Sequence, residues 1–139
     1  YADILLMYAE AQNEASGPNS SVYDAINEVR ARAGMPDVAT GLTKEGMRTE
    51  IRHERRIEFV AEGLRYSDIR RWKIAETVMV NGKGYDSGKL SDPTDPASWV
   101  FEVIDANGRV FSAPKDYVWP LPQSEIQTNK KLLQNPAWN

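Results

Sequence analysis

The chain contains no cysteine. That excludes a disulfide frame, a thiol nucleophile and a thiolate metal site, although it says nothing about redox compartment. Histidine is nearly as scarce, with His53 alone. A zinc-protease helix needs two histidines, and a di-iron bundle needs two Glu-x-x-His motifs, so neither is available. A basic excess is also missing. The 17 Lys and Arg face 20 Asp and Glu, a net charge of −3, which argues against a general nucleic-acid binder. No apolar run approaches the roughly 18 residues of a membrane span, and no signal-peptide pattern is seen. The first residue is Tyr1 rather than Met, and it leads straight into a helical pattern. The expectation is therefore a C-terminal piece of a longer polypeptide, in which any targeting signal would precede Tyr1.

The chain does have charge interleaved with apolar bulk. Residues Glu54 to Lys73 read ERRIEFVAEGLRYSDIRRWK. On a helix, Lys44, Arg48, Arg52 and Arg56 make a basic stripe, and Glu50, Glu54, Glu58 and Glu62 an acidic one. Side chains four apart share a face at about 6 Å, and like charges there repel by a few tenths of a kcal/mol. Pairs three apart, Arg55 with Glu58 and Glu62 with Arg65, relieve part of this. The rest implies ion pairs to neighbouring elements. Ile51, Ile57, Phe59 and Val60 supply an apolar anchor. Gly63 suits the position just past a helix end, and Ser67 or Asp68 suits the cap of a second helix. In that second helix Ile69, Trp72 and Ala75 form an apolar arc.

A length of 139 residues is one domain's worth. Three blocks divide it. Residues 1–36 predict a helical hairpin. Ile4, Tyr8, Ala11 and Ala15 make one face, and Val22, Ile26, Val29 and Ala33 the other. Gly17-Pro18 breaks the chain between them, and Gly34 and Pro36 end it. Small residues on both seams allow the close approach of a tetratricopeptide-like unit. A lone pair cannot bury its own faces, so further neighbours are expected. Residues 43–79 hold the two charged helices, with Thr43 as cap. Residues 81–139 differ. Glycine and proline make 81–98 a loop, and Trp99 to Ile104 reads as a strand. Asn107-Gly108 is a strong β-hairpin signal, with Arg109 to Phe111 returning so that Ile104 opposes Phe111. The tail from Lys115 is expected to wrap as extended chain, with one helical turn near Ser124 to Asn129. The fold class is mostly α.

Four ordered motifs carry a resemblance. They are YADILLMYAEAQNEA, AINEVRARAGMP, IRHERRIEFVAEGLRYSDIRRWK and KDYVWPLPQSEIQTNKKLLQNPAWN. Together they resemble the C-terminal part of the SusD/RagB family of outer-membrane glycan-binding lipoproteins. They cover most of the chain apart from residues 77–112. Ala137 and Leu121 stand where that family usually has Gly and Ile. The resemblance implies a helical, tetratricopeptide-like scaffold and a surface-exposed lipoprotein of the outer membrane in Bacteroidetes-type bacteria. It implies a TonB-dependent, SusC-like transporter as partner. The ligand it implies is an oligosaccharide, or in some members a peptide. Membrane attachment would run only through a lipid anchor absent from this chain. No cofactor is implied, and the family's main binding surface is expected ahead of Tyr1.

His53 with Glu50 is read as part of a charged helix face rather than a metal site. Glu54 and Glu58 have a spacing permissive of a glycosidase pair. Arginines beside them favour the charged carboxylates, whereas a general acid needs the opposite. Arg55, Arg56, Glu58, Glu62, Arg70 and Arg71 are read as a structural ion-pair network tying the helices to the tail. Asp92, Asp95 and Asp105 match no calcium-loop spacing. Sugar binding uses aromatic faces. Trp72, Trp119 and Trp138 are read as packing. Tyr85 and Trp99, in or beside the Gly/Pro-rich loop, are the candidate ligand-binding residues, with Asp86, Asp92 and Asp95 as nearby acceptors. The leading reading is non-enzymatic oligosaccharide binding with this piece mainly scaffold. A protein-interaction scaffold is the alternative, and a glycan-acting enzyme is the least supported.

Overall fold

The computed structural model describes residues 1–79, 94 and 110–138, together with the backbone of 83–85 and 103–105. The chain forms two compact units, Tyr1–Tyr66 and Ser67–Asn139.

In the first unit, α1 spans Ala2–Ser16, α2 Ser20–Arg32 and α3 Lys44–Glu58. Gly17, with φ 80, stops α1. Asn19 then caps α2, its side chain accepting from the Val22 amide at 3.2 Å. Thr43 caps α3 through the Gly46 amide at 3.1 Å. Each cap satisfies a backbone donor that the helix itself leaves unpaired. Helix α1 packs against both α2 and α3. The shared core is Leu6, Ala9, Val22, Ala25, Ile26, Val29, Val38, Met47, Ile51 and Phe59.

The helical hairpin stands as the sequence predicts, but α1 is rotated relative to the expected face. Leu6, Ala9 and Asn13 are buried. Ile4 and Tyr8 are 61% and 46% exposed, and Ala11 and Ala15 also lie outside. The α1 sequence is apolar on two sides, so its periodicity contains two stripes. Only the position of α2 and α3 selects between them. On α2, Val22, Ile26 and Val29 point inward as expected, whereas Ala33 is exposed.

Helix α3 ends at Glu58, earlier than Gly63 suggested. Residues 59–63 form a turn in which Ala61 has φ 66 and Gly63 φ 79. Helix α4, Leu64–Arg71, begins before Ser67 and Asp68, so neither caps it. Asp68 instead pairs with Arg71 at 2.9 Å, three residues on.

In the second unit, Ile69, Trp72 and Ala75 are buried as the expected arc. Helix α5 covers Ala75–Val78 and α6 Gln123–Thr128, with single 3-10 turns at Lys115–Tyr117 and Pro136–Trp138. Strands β1, Lys83–Tyr85, and β2, Val103–Asp105, pair antiparallel with Gly84 opposite Ile104. The 81–98 stretch is therefore not loop throughout. The Asn107-Gly108 turn lies outside the described residues. Val110 and Phe111 carry no strand. Phe111 packs edge-on against Tyr117 at 4.7 Å instead of returning beside Ile104.

Candidate functional site

The charges of α3 find their partners across the helix bundle. Arg30 of α2 reaches Glu54 at 2.7 Å, with side chains 14% and 9% exposed. Arg32 of α2 pairs with Glu58 through both carboxylate oxygens. Arg55, 4% exposed, pairs with Asp3 of α1 at 2.8 Å. Arg48 grips Glu14 of α1, and Lys44 lies 3.8 Å from the same carboxylate. The hydrogen bond from Arg48 holds the Glu14 carboxyl below the usual carboxylate range, and burial opposes that only in part. So Lys44, Arg48, Glu54 and Glu58 of the stripes are balanced between helices, as expected, while Arg55 pairs with Asp3 and Glu58 with Arg32. The sequence showed that partners were needed but not which ones.

In the second unit Arg70, one of the six charged residues expected to tie the helices to the tail, makes such a link. Arg70 donates to the Asp116 carbonyl at 2.6 Å and lies over the Trp119 ring at 5.2 Å. The Ala75 amide donates to the Tyr117 hydroxyl at 3.1 Å. Lys73 stands over the Tyr117 ring at 4.2 Å.

Glu54 and Glu58 each hold an arginine of α2, and His53 is exposed on α3. Tyr85 lies in β1 opposite Val103, but its side chain, like Trp99 and Asp86, Asp92 and Asp95, lies outside the described residues.

The tryptophans separate clearly. Trp72 is in the core, 9% exposed. Trp138 is partly buried; its indole donates to the Val118 carbonyl at 3.0 Å, and Lys115 covers its ring at 4.2 Å. Trp119, expected to be packing, is 70% exposed. The backbone explains this. Val118 is extended, with φ −124 and ψ 152, and Pro120 biases Trp119 the same way. Alternation along extended chain then sends Trp119 outward while Val118 stays half-buried.

Among the concavities of the described residues, two are of about 560 Å³ each. One, in the first unit, is bordered by Tyr1, Leu5, Glu28, Arg32, Glu58 and Phe59. There Tyr1 donates to Glu28 at 2.9 Å, and Arg32 holds Glu58. The other, in the second unit, is a groove of Trp119, Leu121, Leu133, Gln134, Asn135 and Pro136. Gln134 builds its floor. It accepts from Leu121 N at 2.8 Å and donates to Leu121 O at 3.0 Å.

Comparison with known proteins follows the same line. A family model described as the SusD family matches residues 1–138. The chain is 30% identical to SusD-like protein P2 of Formosa agariphila, covering 97% of this chain and 24% of that protein. It is 32% identical to SusD-like protein P25 of the same organism, over 99% and 23% respectively. A crystal structure of a SusD-like protein from Bacteroides fragilis superposes with a TM-score of 0.82 at 34% identity, over 98% of this chain and 24% of that one. A second B. fragilis structure, described as a SusD-like carbohydrate binding protein, gives 0.75 at 37% identity over 96% and 28%. The chain thus spans about a quarter of the length of these relatives.

Proposed function

Since the chain belongs to the SusD family, we propose that it serves non-enzymatic capture of oligosaccharides at the bacterial cell surface, as the C-terminal scaffold of a longer glycan-binding protein. The observation that carries this reading is the match over residues 1–138, joined by a 37%-identical relative described as carbohydrate binding. The proposed location is the outer membrane. The proposed next step is delivery to a TonB-dependent, SusC-like transporter. The ion-paired state of Glu54 and Glu58 supports a structural rather than a catalytic role for them. Titration calorimetry of an oligosaccharide panel into this chain and into a polypeptide of its relatives' length tests the reading. Binding by the longer polypeptide without turnover is expected. No binding by either, or hydrolysis abolished by Glu54→Gln, overturns it.

A second reading, a protein-interaction scaffold without a sugar contact, is favoured by one observation. Ile4, Met7 and Tyr8 of α1 form an exposed apolar face, and such faces mark protein contacts.

A further inference from the structure

We propose that the Trp119 groove is a carbohydrate-contact subsite, taking one pyranose ring of a glycan chain. This rests on the glycan-binding reading above, and it gives the scaffold a ligand contact of its own through residues other than Tyr85 and Trp99.

A pyranose needs a flat aromatic face for its C–H groups and a few polar groups for its hydroxyls. Trp119 supplies the face. Arg70 lies over one side of the ring at 5.2 Å, and Arg70 is itself fixed by the Asp116 carbonyl at 2.6 Å. The residue is 70% exposed, so most of its surface meets solvent. The ring is thus oriented before any ligand arrives, which lowers the ordering cost of binding. The groove beside it, about 560 Å³, is of the size of a small-ligand site.

The floor is equally preset. Both ends of the Gln134 amide are held by Leu121, so the loop carrying Leu133 to Pro136 is pinned against the strand-like segment after Trp119. Among the described residues, the Trp119 indole N–H and the Asn135 side-chain N–H₂ donate no hydrogen bond, whereas the Asn135 side-chain oxygen Oδ1 accepts from Ala137 N at 3.4 Å. Two donors are therefore available among the residues that line the groove. Trp138 offers no such combination, because its indole N–H is spent on Val118 and a lysine covers its ring.

The test follows the Trp119 indole N–H resonance, assigned with Trp119→Tyr, during titration of cello-, xylo- and mannohexaose into this chain and into a polypeptide of its relatives' length. The expected result is a saturable shift of that resonance with one hexaose. Trp119→Ala should then weaken binding about tenfold or more, and Trp119→Tyr much less. A hexaose that saturates the protein without moving the Trp119 resonance overturns the subsite and leaves the glycan-binding reading standing. Absence of any hexaose binding overturns both for this sugar class. Protection of the indole N–H from solvent exchange in the longer polypeptide before sugar is added also overturns the subsite, because protein would then fill the groove. The resonance readout does not depend on Trp119→Ala remaining folded.

Discussion

Arg30 and Glu54 meet at 2.7 Å with both side chains largely out of water. The pair joins α2 to α3. Arg30 also donates to the Pro36 carbonyl at 2.7 Å, so it also fixes the chain that leaves α2. Removing one partner of a buried pair leaves the other charge uncompensated and costs about 3–5 kcal/mol. Glu54→Ala is expected to destabilise the first unit by that order, read as a lower denaturant midpoint. Arg32→Ala, removing a side chain 65% exposed, is expected to cost about 1 kcal/mol or less. Equal losses from the two would contradict this ranking.

The turn after α3 holds Ala61 at φ 66 and Gly63 at φ 79. A left-handed residue with a Cβ costs about 1–2 kcal/mol. Nothing lies within 4 Å of a Cβ added at Gly63, so Gly63→Ala should be destabilising through backbone strain alone, by about 1 kcal/mol. Ala61→Gly should stabilise by a smaller amount, because glycine loses more freedom on folding. Thermal melts of the two variants should shift in opposite directions.

Arg48 lowers the Glu14 carboxyl from its ordinary value. A carboxylate lowered in the folded state binds its proton less readily there than in the unfolded chain. Its contribution is thus complete above the ordinary carboxylate range and is lost as pH falls through the lowered native value. Glu14→Gln should flatten that acidic limb of the stability profile and leave its alkaline side unaffected. A limb unchanged by the substitution would show that this pair does not couple to folding.

Helix α1 presents Ile4, Met7 and Tyr8 at 61%, 43% and 46% exposure. The chain alone is expected to self-associate with rising concentration. Met7→Lys should reduce that, measured by sedimentation. A monomer with a cooperative melt at all concentrations would refute it.

Arg70 ties α4 to the tail. Arg70→Met leaves the Asp116 carbonyl without its charged donor, at a cost of about 1.5–3 kcal/mol. It also removes the cation from the Trp119 ring. A shift in tryptophan emission at unchanged helicity is the expected signature. Emission identical to the parent chain would separate Arg70 from the ring.

Much of the fold was legible along the chain. Gly17 and Thr43 mark helix ends by local backbone chemistry, and structure agrees at each. The need for charge partners on α3 was equally local, because like charges four apart must be balanced from elsewhere. The family was legible because its four motifs are contiguous strings. Other features depended on neighbours distant in sequence. α1 carries two apolar stripes, and only α2 and α3 decide that Leu6 and Ala9 go inward while Ile4 and Tyr8 do not. Asp3 and Arg32 displaced the local alternative for Arg55 and Glu58 for the same reason. Trp119 and Trp138 are similar as letters in a terminal motif. Contacts from Arg70, Lys115 and the Val118 carbonyl make one an open ring and the other a tether. Caps and turns are set by interactions within a few residues, which the sequence itself determines. Which side of an element meets water is set by what packs across it, and that only the tertiary structure decided.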